Sequence, residues 1–142
     1  MKAQEELEKV QIYYAEIEEK MEDIIRLDSL VKRVTAAMGG EVVSRSREYD
    51  PLGKAIANKE KAKRELVRLQ VRCEKHKAFL SSIINGLNNP AYIRILYGLY
   101  FSGKDLSEIA CKINYSYRQT QNLRDQAIES VQKTMDKIKK IS

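Results

Sequence analysis

Positions 113–127, INYSYRQTQNLRDQA, hold the side chains whose types and spacing best suit a chemical task. Arg can bridge guanine O6 and N7, and Gln or Asn can pair bidentately with adenine, so such a face can read base edges in the major groove of DNA. The candidate base-reading residues are Ser116, Tyr117, Arg118, Gln119, Gln121 and Asn122. Gln119 stands three residues after Ser116, the spacing of a capping box, which gives this side chain a competing role.

Three basic residues flank these positions and suit contacts with phosphates. They are Lys104, Lys112 and Arg124. Phosphate contacts fix the register of a protein on the duplex without reading sequence, and they make binding dependent on salt. The expected partner is therefore double-stranded DNA.

The elements around these residues predict a helix-turn-helix. One short helix should start at Asp105, with Glu108 as its capping-box partner, and the last helix at Ser116, with Gln119 as partner. Ala110 is small where the helices must cross, and Asn114 suits the left-handed residue of the turn. The inner face of the last helix is predicted to follow Thr120, Leu123, Ala127, Val131 and Ile138.

Two long helices are predicted before this motif. Apolar residues recur in steps of three and four from Leu7 to Met38, and Gly39-Gly40 should end the first helix. Asp50-Pro51 is a good start for the second, whose apolar positions are interrupted at Lys59 and His76. Each helix would be roughly 50 Å long, and the pair most simply forms an antiparallel, coiled-coil-like hairpin.

The distribution of charge supports that hairpin. The chain has 142 residues and a net charge of +6. Residues 1–31 carry nine acidic and four basic side chains, whereas residues 32–80 carry thirteen basic and six acidic ones. Helices of opposite charge favour packing against each other. Two helices make a thin core, so we expect a homo-oligomer, a dimer, formed through the hairpin. Packing of the helices on their own C-terminal domain is the alternative.

The stretch NGLNNPAY, at 85–92, marks a boundary between two domains. Residues 1–88 are the predicted hairpin, used for interaction or oligomerisation, and residues 89–142 the predicted DNA-binding domain. A short apolar helix over 91–101, closed by Ser102-Gly103, should begin the second domain. The expected fold class is all-α.

Other functional classes find little support in the sequence. No apolar run could cross a bilayer and no segment resembles a signal peptide, so a cytoplasmic protein is expected. Cys73 and His76 could form half of a metal site, but His76 is the only histidine, and Cys111 falls in another element. Both cysteines fall at apolar-face positions of the predicted helices. We therefore expect no metal, no cofactor and no disulfide. No nucleophile with an adjacent base and no Gly-rich phosphate loop is found, so no enzymatic activity is expected.

The segment YGLYFSGKDLSEIACKINYSYRQTQNLRDQAIESV, residues 97–131, resembles the DNA-binding region 4 of bacterial sigma factors. The resemblance includes the pattern S-x-x-x-[TV]-x-x-[LI]-x-x-x-A at Ser116, Thr120, Leu123 and Ala127. The whole chain resembles short phage and prophage regulators of late transcription, with two long helices, a linker before Asp-Pro and a terminal sigma-like unit. This resemblance implies a sequence-specific DNA-binding transcription regulator, with RNA polymerase as a further partner.

Two other functions stay open on the sequence. A helix-turn-helix can recruit DNA to an assembly, as in a DNA-packaging adaptor that resembles a small terminase subunit. A motif that has lost DNA binding would instead leave an interaction module, since Gln, Asn and Arg are also common on solvated helix faces.

Overall fold

A computed structural model describes residues 2–37 and 50–141 of the chain. Their regular structure is entirely helical, which confirms the all-α class. The elements are α1 (Ala3–Ala37), α2 (Pro51–Asn85), α3 (Pro90–Leu96), a π-helical turn (Tyr97–Phe101), α4 (Leu106–Ile113) and α5 (Tyr117–Ile141). The predicted Gly39-Gly40 stop lies outside the described residues.

Residues Tyr14–Arg72 form one compact unit, in which α1 and α2 run antiparallel. Lys20 Nζ lies 2.7 Å from Glu65 Oε2, and Lys59 Nζ lies 2.6 Å from Asp28 Oδ1. From the first ion pair to the second, the residue number rises in α1 and falls in α2. The two helices are therefore antiparallel and form the predicted hairpin. Lys59, a predicted polar exception in the α2 seam, thus finds its partner on α1. Among the described residues of this unit only two alanines, at 55 and 62, are buried, so its core is thin.

The described residues on either side of that unit form the second compact unit. The start of α1 belongs to it, since Leu7 and Val10 are fully buried and Gln11 Nε2 donates to the Tyr100 carbonyl at 2.7 Å. The backbone N–H of Ala3 donates to Gln132 Oε1, also at 2.7 Å. The division into domains at residues 1–88 and 89–142 stays a prediction.

The starts of α2 and α3 follow local capping rules. Asp50 Oδ1 accepts from the Gly53 N–H at 2.9 Å, with Pro51 as the first helical residue, which confirms the predicted cap. Asn89 caps α3 in the same way, through its side-chain oxygen and the Ala91 N–H at 3.0 Å. Asn and Asp side chains at this position satisfy N–H groups that have no partner inside the helix.

The apolar segment predicted as one helix over 91–101 changes conformation within its length. It is α-helical to Leu96 and then forms a wider π-helical turn, in which the Ser102 N–H donates to the Tyr97 carbonyl at 2.9 Å. Gly98 in this turn lets α4 approach closely, since a Cβ there would lie 2.8 Å from Ile109 Cδ1. The wider turn is a tertiary feature that apolar periodicity does not predict.

Two apolar assignments from the sequence are wrong. The inner stripe of α5 runs from Val131 to Met135, which is 1% exposed, whereas Ile138 is 41% exposed. The step of four from Val131 keeps Met135 on the buried face. Ile138 lies on the same face seven residues after Val131, so its exposure shows that the packed part of α5 ends before it. Cys111, predicted on an apolar face, is exposed, whereas Cys73 is buried as predicted.

Candidate nucleic-acid interface

The turn between α4 and α5 fixes where α5 begins. Asn114 has φ 61° and ψ 37°, the left-handed conformation that the sequence predicts. The N–H groups of Asn114 and Tyr115 both donate to the Ala110 carbonyl, the second of them at 3.1 Å. This pattern is typical of a helix end closed by a left-handed residue, and it turns the chain sharply into the next helix.

The first turn of α5 is closed by a reciprocal capping box. The Gln119 N–H donates to Ser116 Oγ at 3.1 Å, and the Ser116 N–H donates to Gln119 Oε1 at 3.0 Å. The hydroxyl of Thr120, fully buried, donates to the Ser116 carbonyl at 2.8 Å. The predicted box is confirmed, so Ser116 and Gln119 serve the start of the helix.

The capping box predicted for α4 lacks the hydrogen bond expected from the side chain of its N-cap residue. Asp105 occupies the N-cap position with extended backbone, but its side chain makes no capping hydrogen bond. The start of α4 is instead held by packing, because Leu106 and Ile109 lie in a buried cluster with Ile95 of α3. This correction leaves the helix-turn-helix in place.

One face of α5 is anchored by that helical packing. Leu123 packs against the cluster, and Thr120, Ala127 and Val131 are fully buried. Burying these side chains is favourable by roughly 25 cal/mol per Å² of apolar surface, which ties the rotation of α5 about its axis to the core. The opposite face of the first turns therefore points to solvent.

Four predicted site residues in these first turns are accessible to a ligand. Tyr117 is 51% exposed, Arg118 and Asn122 are exposed, and Gln121 is half-buried. None of these four side chains makes a hydrogen bond or an ion pair with another residue in the part of the chain that the structure describes. A polar surface without internal partners can exchange its water for a partner without breaking bonds within the protein.

Arg124 and Asp125 modify this face. Arg124 Nε and Nη2 each lie 3.2 Å from Asp125 Oδ1. The predicted phosphate contact of Arg124 would therefore have to replace or share this ion pair. Asp125 is exposed four residues after Gln121, and sequence reasoning passed over it although a carboxylate can accept from cytosine N4.

Lys104, which precedes α4, and Lys112, near the end of α4, come close together. The neighbouring Lys112 ammonium lowers the pKa of Lys104 from its usual range, since like charges disfavour each other. Both line a cleft of about 360 Å³ between α3, the π-helical turn and α4, together with Arg94. The sequence did not single out Arg94, although it is the only charged residue between positions 81 and 103.

The cleft combines these cations with an apolar floor, to which Tyr97 and Ile109 contribute. Three positive side chains around one hollow form a site of positive potential, which suits an anionic group such as a phosphate. Two of the three predicted phosphate-contacting residues are thus brought together, and the third, Arg124, lies on another helix.

Other kinds of site are less well supported by geometry. His76 Nε2 lies 2.6 Å from the Glu6 carbonyl, so this nitrogen is a hydrogen-bond donor rather than a free metal ligand. Within residues 2–37 and 50–141 no group of three or more His, Cys, Asp or Glu side chains is placed to hold a metal ion. No helix in these ranges has the length and apolar character needed to span a membrane.

Comparison of the chain with protein-family models, with curated proteins and with solved structures gave no match. The geometry of the α4–α5 turn and of the exposed face of α5 is therefore the ground on which a function can be proposed.

Proposed function

We propose that this protein is a sequence-specific DNA-binding transcription regulator that places the first turns of α5 in the major groove. The observation that carries this proposal is the exposed pair Arg118 and Asn122, without internal partners, on a helix whose start is fixed by the Asn114 turn. A helix-turn-helix reads bases with the residues at the beginning of its second helix.

The residue types on this face fit base edges. Arg118 is suited to guanine, Asn122 and Gln121 are suited to adenine, and Asp125 is suited to the amino group of cytosine. Ser116 and Gln119 are occupied by the capping box, so we propose that they position α5 and do not read bases. Tyr117 lies at the first position of the helix, where its hydroxyl can reach a phosphate.

The cleft with Lys104, Lys112 and Arg94 supplies positive charge within the same compact unit as the helix-turn-helix. We propose that it holds a phosphate of the DNA backbone. Occupation by an anion would relieve the repulsion between the two lysines that lowers the pKa of Lys104. Such contacts contribute affinity but not sequence preference.

The hairpin unit fits a role in self-association. Its described buried residues are two alanines, while Ile25, Val67 and Val71 are 66%, 57% and 46% exposed. Covering such side chains in a dimer would add the apolar burial that two helices lack. A dimer would read a symmetric site with two half-sites. Phage or prophage origin and RNA polymerase as a partner are proposed on the sequence resemblance. The cytoplasmic location expected from the sequence stays part of the proposal.

Selection of bound sequences from a random pool of duplex DNA tests the proposal. The wild-type chain should enrich a consensus, and the double variant Arg118→Ala/Asn122→Ala should lose it. Each good bidentate pair contributes about 1–3 kcal/mol of discrimination, so preference for the consensus should fall by roughly tenfold or more. Lys137→Ala is the matched control, since it removes one positive charge from the exposed far end of α5.

The outcomes separate the proposed regulator from its alternatives. An unchanged preference in the double variant, with its helical content intact, would refute base reading by α5. Salt-dependent binding without a consensus, by a ring-forming oligomer in light scattering, would indicate a DNA-packaging adaptor. No measurable binding at low salt would indicate an interaction module.

A further inference from the structure

We propose that the hairpin unit carries a second nucleic-acid contact, a surface on α2 that binds the phosphate backbone of duplex DNA without reading its sequence. The surface, termed the α2 basic stripe, consists of Lys54, Lys61, Arg64, Arg68 and Arg72. This inference does not depend on α5 and would hold even if the helix-turn-helix reads no bases.

The five residues share one face of α2. Their successive spacings are seven, three, four and four residues. At about 100° per residue they fall on an arc of roughly 80°, and at about 1.5 Å per residue the stripe is roughly 27 Å long. Ala57 is the one other residue on this arc. All five basic residues are exposed.

The stripe is not neutralised within the described chain. The other lysines of this part of α2 have partners, since Lys59 pairs with Asp28 and Lys63 with Glu60. No ion pair between a stripe residue and another described residue is found. Glu65 borders the stripe, but its carboxylate is held by Lys20. Lys20 first, and then Lys61 and Arg68, lower the pKa of this carboxyl.

The stripe also borders a groove between the two helices of this unit. Two adjacent hollows, of about 310 and 270 Å³, share Lys20 and Glu65 in their walls. Stripe residues Lys61, Arg68 and Arg72 line them from α2, and Arg26 contributes from α1. Asp23 also lines the first hollow and pairs with Arg26, and Lys20 pairs with Glu65. The groove cations without a carboxylate partner among the described residues are therefore the stripe residues Lys61, Arg68 and Arg72, and a row of them fits successive phosphates better than a single anion.

The composition of the stripe favours nucleic acid over protein as the partner. The centre of a protein interface is apolar and depleted in Lys, whereas the stripe offers cations and one alanine. Phosphate binding requires only such cations, because it gains free energy from the release of condensed counterions. A second copy of this chain is the alternative partner, since α1 exposes Glu16, Glu19 and Glu22.

Binding of a fluorescent duplex of arbitrary sequence, measured by anisotropy between about 50 and 200 mM NaCl, tests the proposal with the full chain. The triple variant Lys61→Ala/Arg68→Ala/Arg72→Ala should bind more weakly. Its slope of log K against log salt should be smaller by roughly 2.7, which corresponds to three lost phosphate contacts.

The matched control is Lys9→Ala/Lys32→Ala/Lys63→Ala. It removes the same three positive charges, two from α1 and one from α2, but each of these lysines already has a carboxylate on its own helix, at 2.9, 3.1 and 3.7 Å. Its slope of log K against log salt should change by less than about 0.9, the value that corresponds to one lost phosphate contact. Circular dichroism should show equal helical content in both variants.

The outcomes distinguish the stripe from α5. The stripe variant should keep the consensus selected by the wild type, and Arg118→Ala/Asn122→Ala should keep most of the salt slope on arbitrary DNA. Equal slopes in the stripe variant and its control would overturn the proposal. So would a stripe variant that becomes monomeric in low-salt sedimentation with its DNA slope unchanged, which would assign the stripe to the acidic face of a second copy.

Discussion

Asn114 shows how one residue decides the direction of the helix that follows it, α5. Its left-handed backbone ends α4, and the Ala110 carbonyl accepts the N–H groups that follow. Left-handed backbone is costly for residues with a Cβ and least costly for Gly and then Asn. The direction in which the exposed face of α5 points depends on this turn.

Replacing Asn114 tests the role of the turn. Asn114→Ala should be less stable than Asn114→Gly by roughly 1 kcal/mol, because Ala meets the steric penalty of the left-handed region and Gly does not. Urea unfolding followed by circular dichroism measures the difference. Equal stability of the two variants would show that the backbone at 114 relaxes out of this conformation.

The nine predicted site residues fall into three groups once their partners are known. Ser116 and Gln119 bond to each other across the first turn, and Arg124 bonds to Asp125. Lys104 and Lys112 meet at a cleft. The remaining four, Tyr117, Arg118, Gln121 and Asn122, have no internal partner among the described residues.

The contact between the π-helical turn and α4 supports the helix-turn-helix. Gly98 faces Ile109, and the space between them cannot hold an added methyl group without movement. Ile109 is 3% exposed and belongs to the cluster that holds α4 beside α3. Overpacking at this contact should therefore destabilise the whole helix-turn-helix.

Gly98→Ala should destabilise the protein by roughly 1–3 kcal/mol, because the new Cβ would overlap Ile109 Cδ1. Ile109→Val removes that atom, so Gly98→Ala/Ile109→Val should be more stable than the sum of the single changes predicts. A double-mutant cycle from urea unfolding measures this coupling. A coupling energy of zero would show that the two positions are not in contact.

The two compact units of the chain differ in how they are held together. Tyr14–Arg72 has two buried alanines among its described residues and is tied by ion pairs between α1 and α2. The other unit has a core that includes Leu7, Leu80 and Ile84. The chain divides unevenly into a thin charged hairpin and a well-packed helical domain.

The two thiols should report this packing directly. Cys111 is exposed and should react with a thiol reagent at once. Cys73 is 2% exposed, and burial raises the pKa of its thiol, so it should react only when α2 opens. In native buffer, one thiol per chain should react rapidly and the other slowly. In urea, both should react rapidly. Cys111→Ser should abolish the rapid phase; two rapid thiols in the native protein would contradict the packing of α2.

The sequence determined the features that depend on neighbours a few residues apart. The Asp50 cap, the Ser116–Gln119 box and the left-handed Asn114 were all predictable, because the groups concerned lie within five residues of each other. The antiparallel pairing of α1 and α2 was predictable as well. Its contacts join residues far apart in the chain, but the apolar seams and opposite charges that favour them are repeated over many residues.

Tertiary structure alone decided the rest. The π-helical turn, the missing Asp105 cap, the exposure of Ile138 and the meeting of Arg94 with Lys104 and Lys112 each depend on which distant element lies alongside. The bond from Gln11 to the Tyr100 carbonyl joins residues far apart in the chain. Local pattern fixes where each helix begins and which stripe is apolar, but only packing between helices selects the atoms that finally touch.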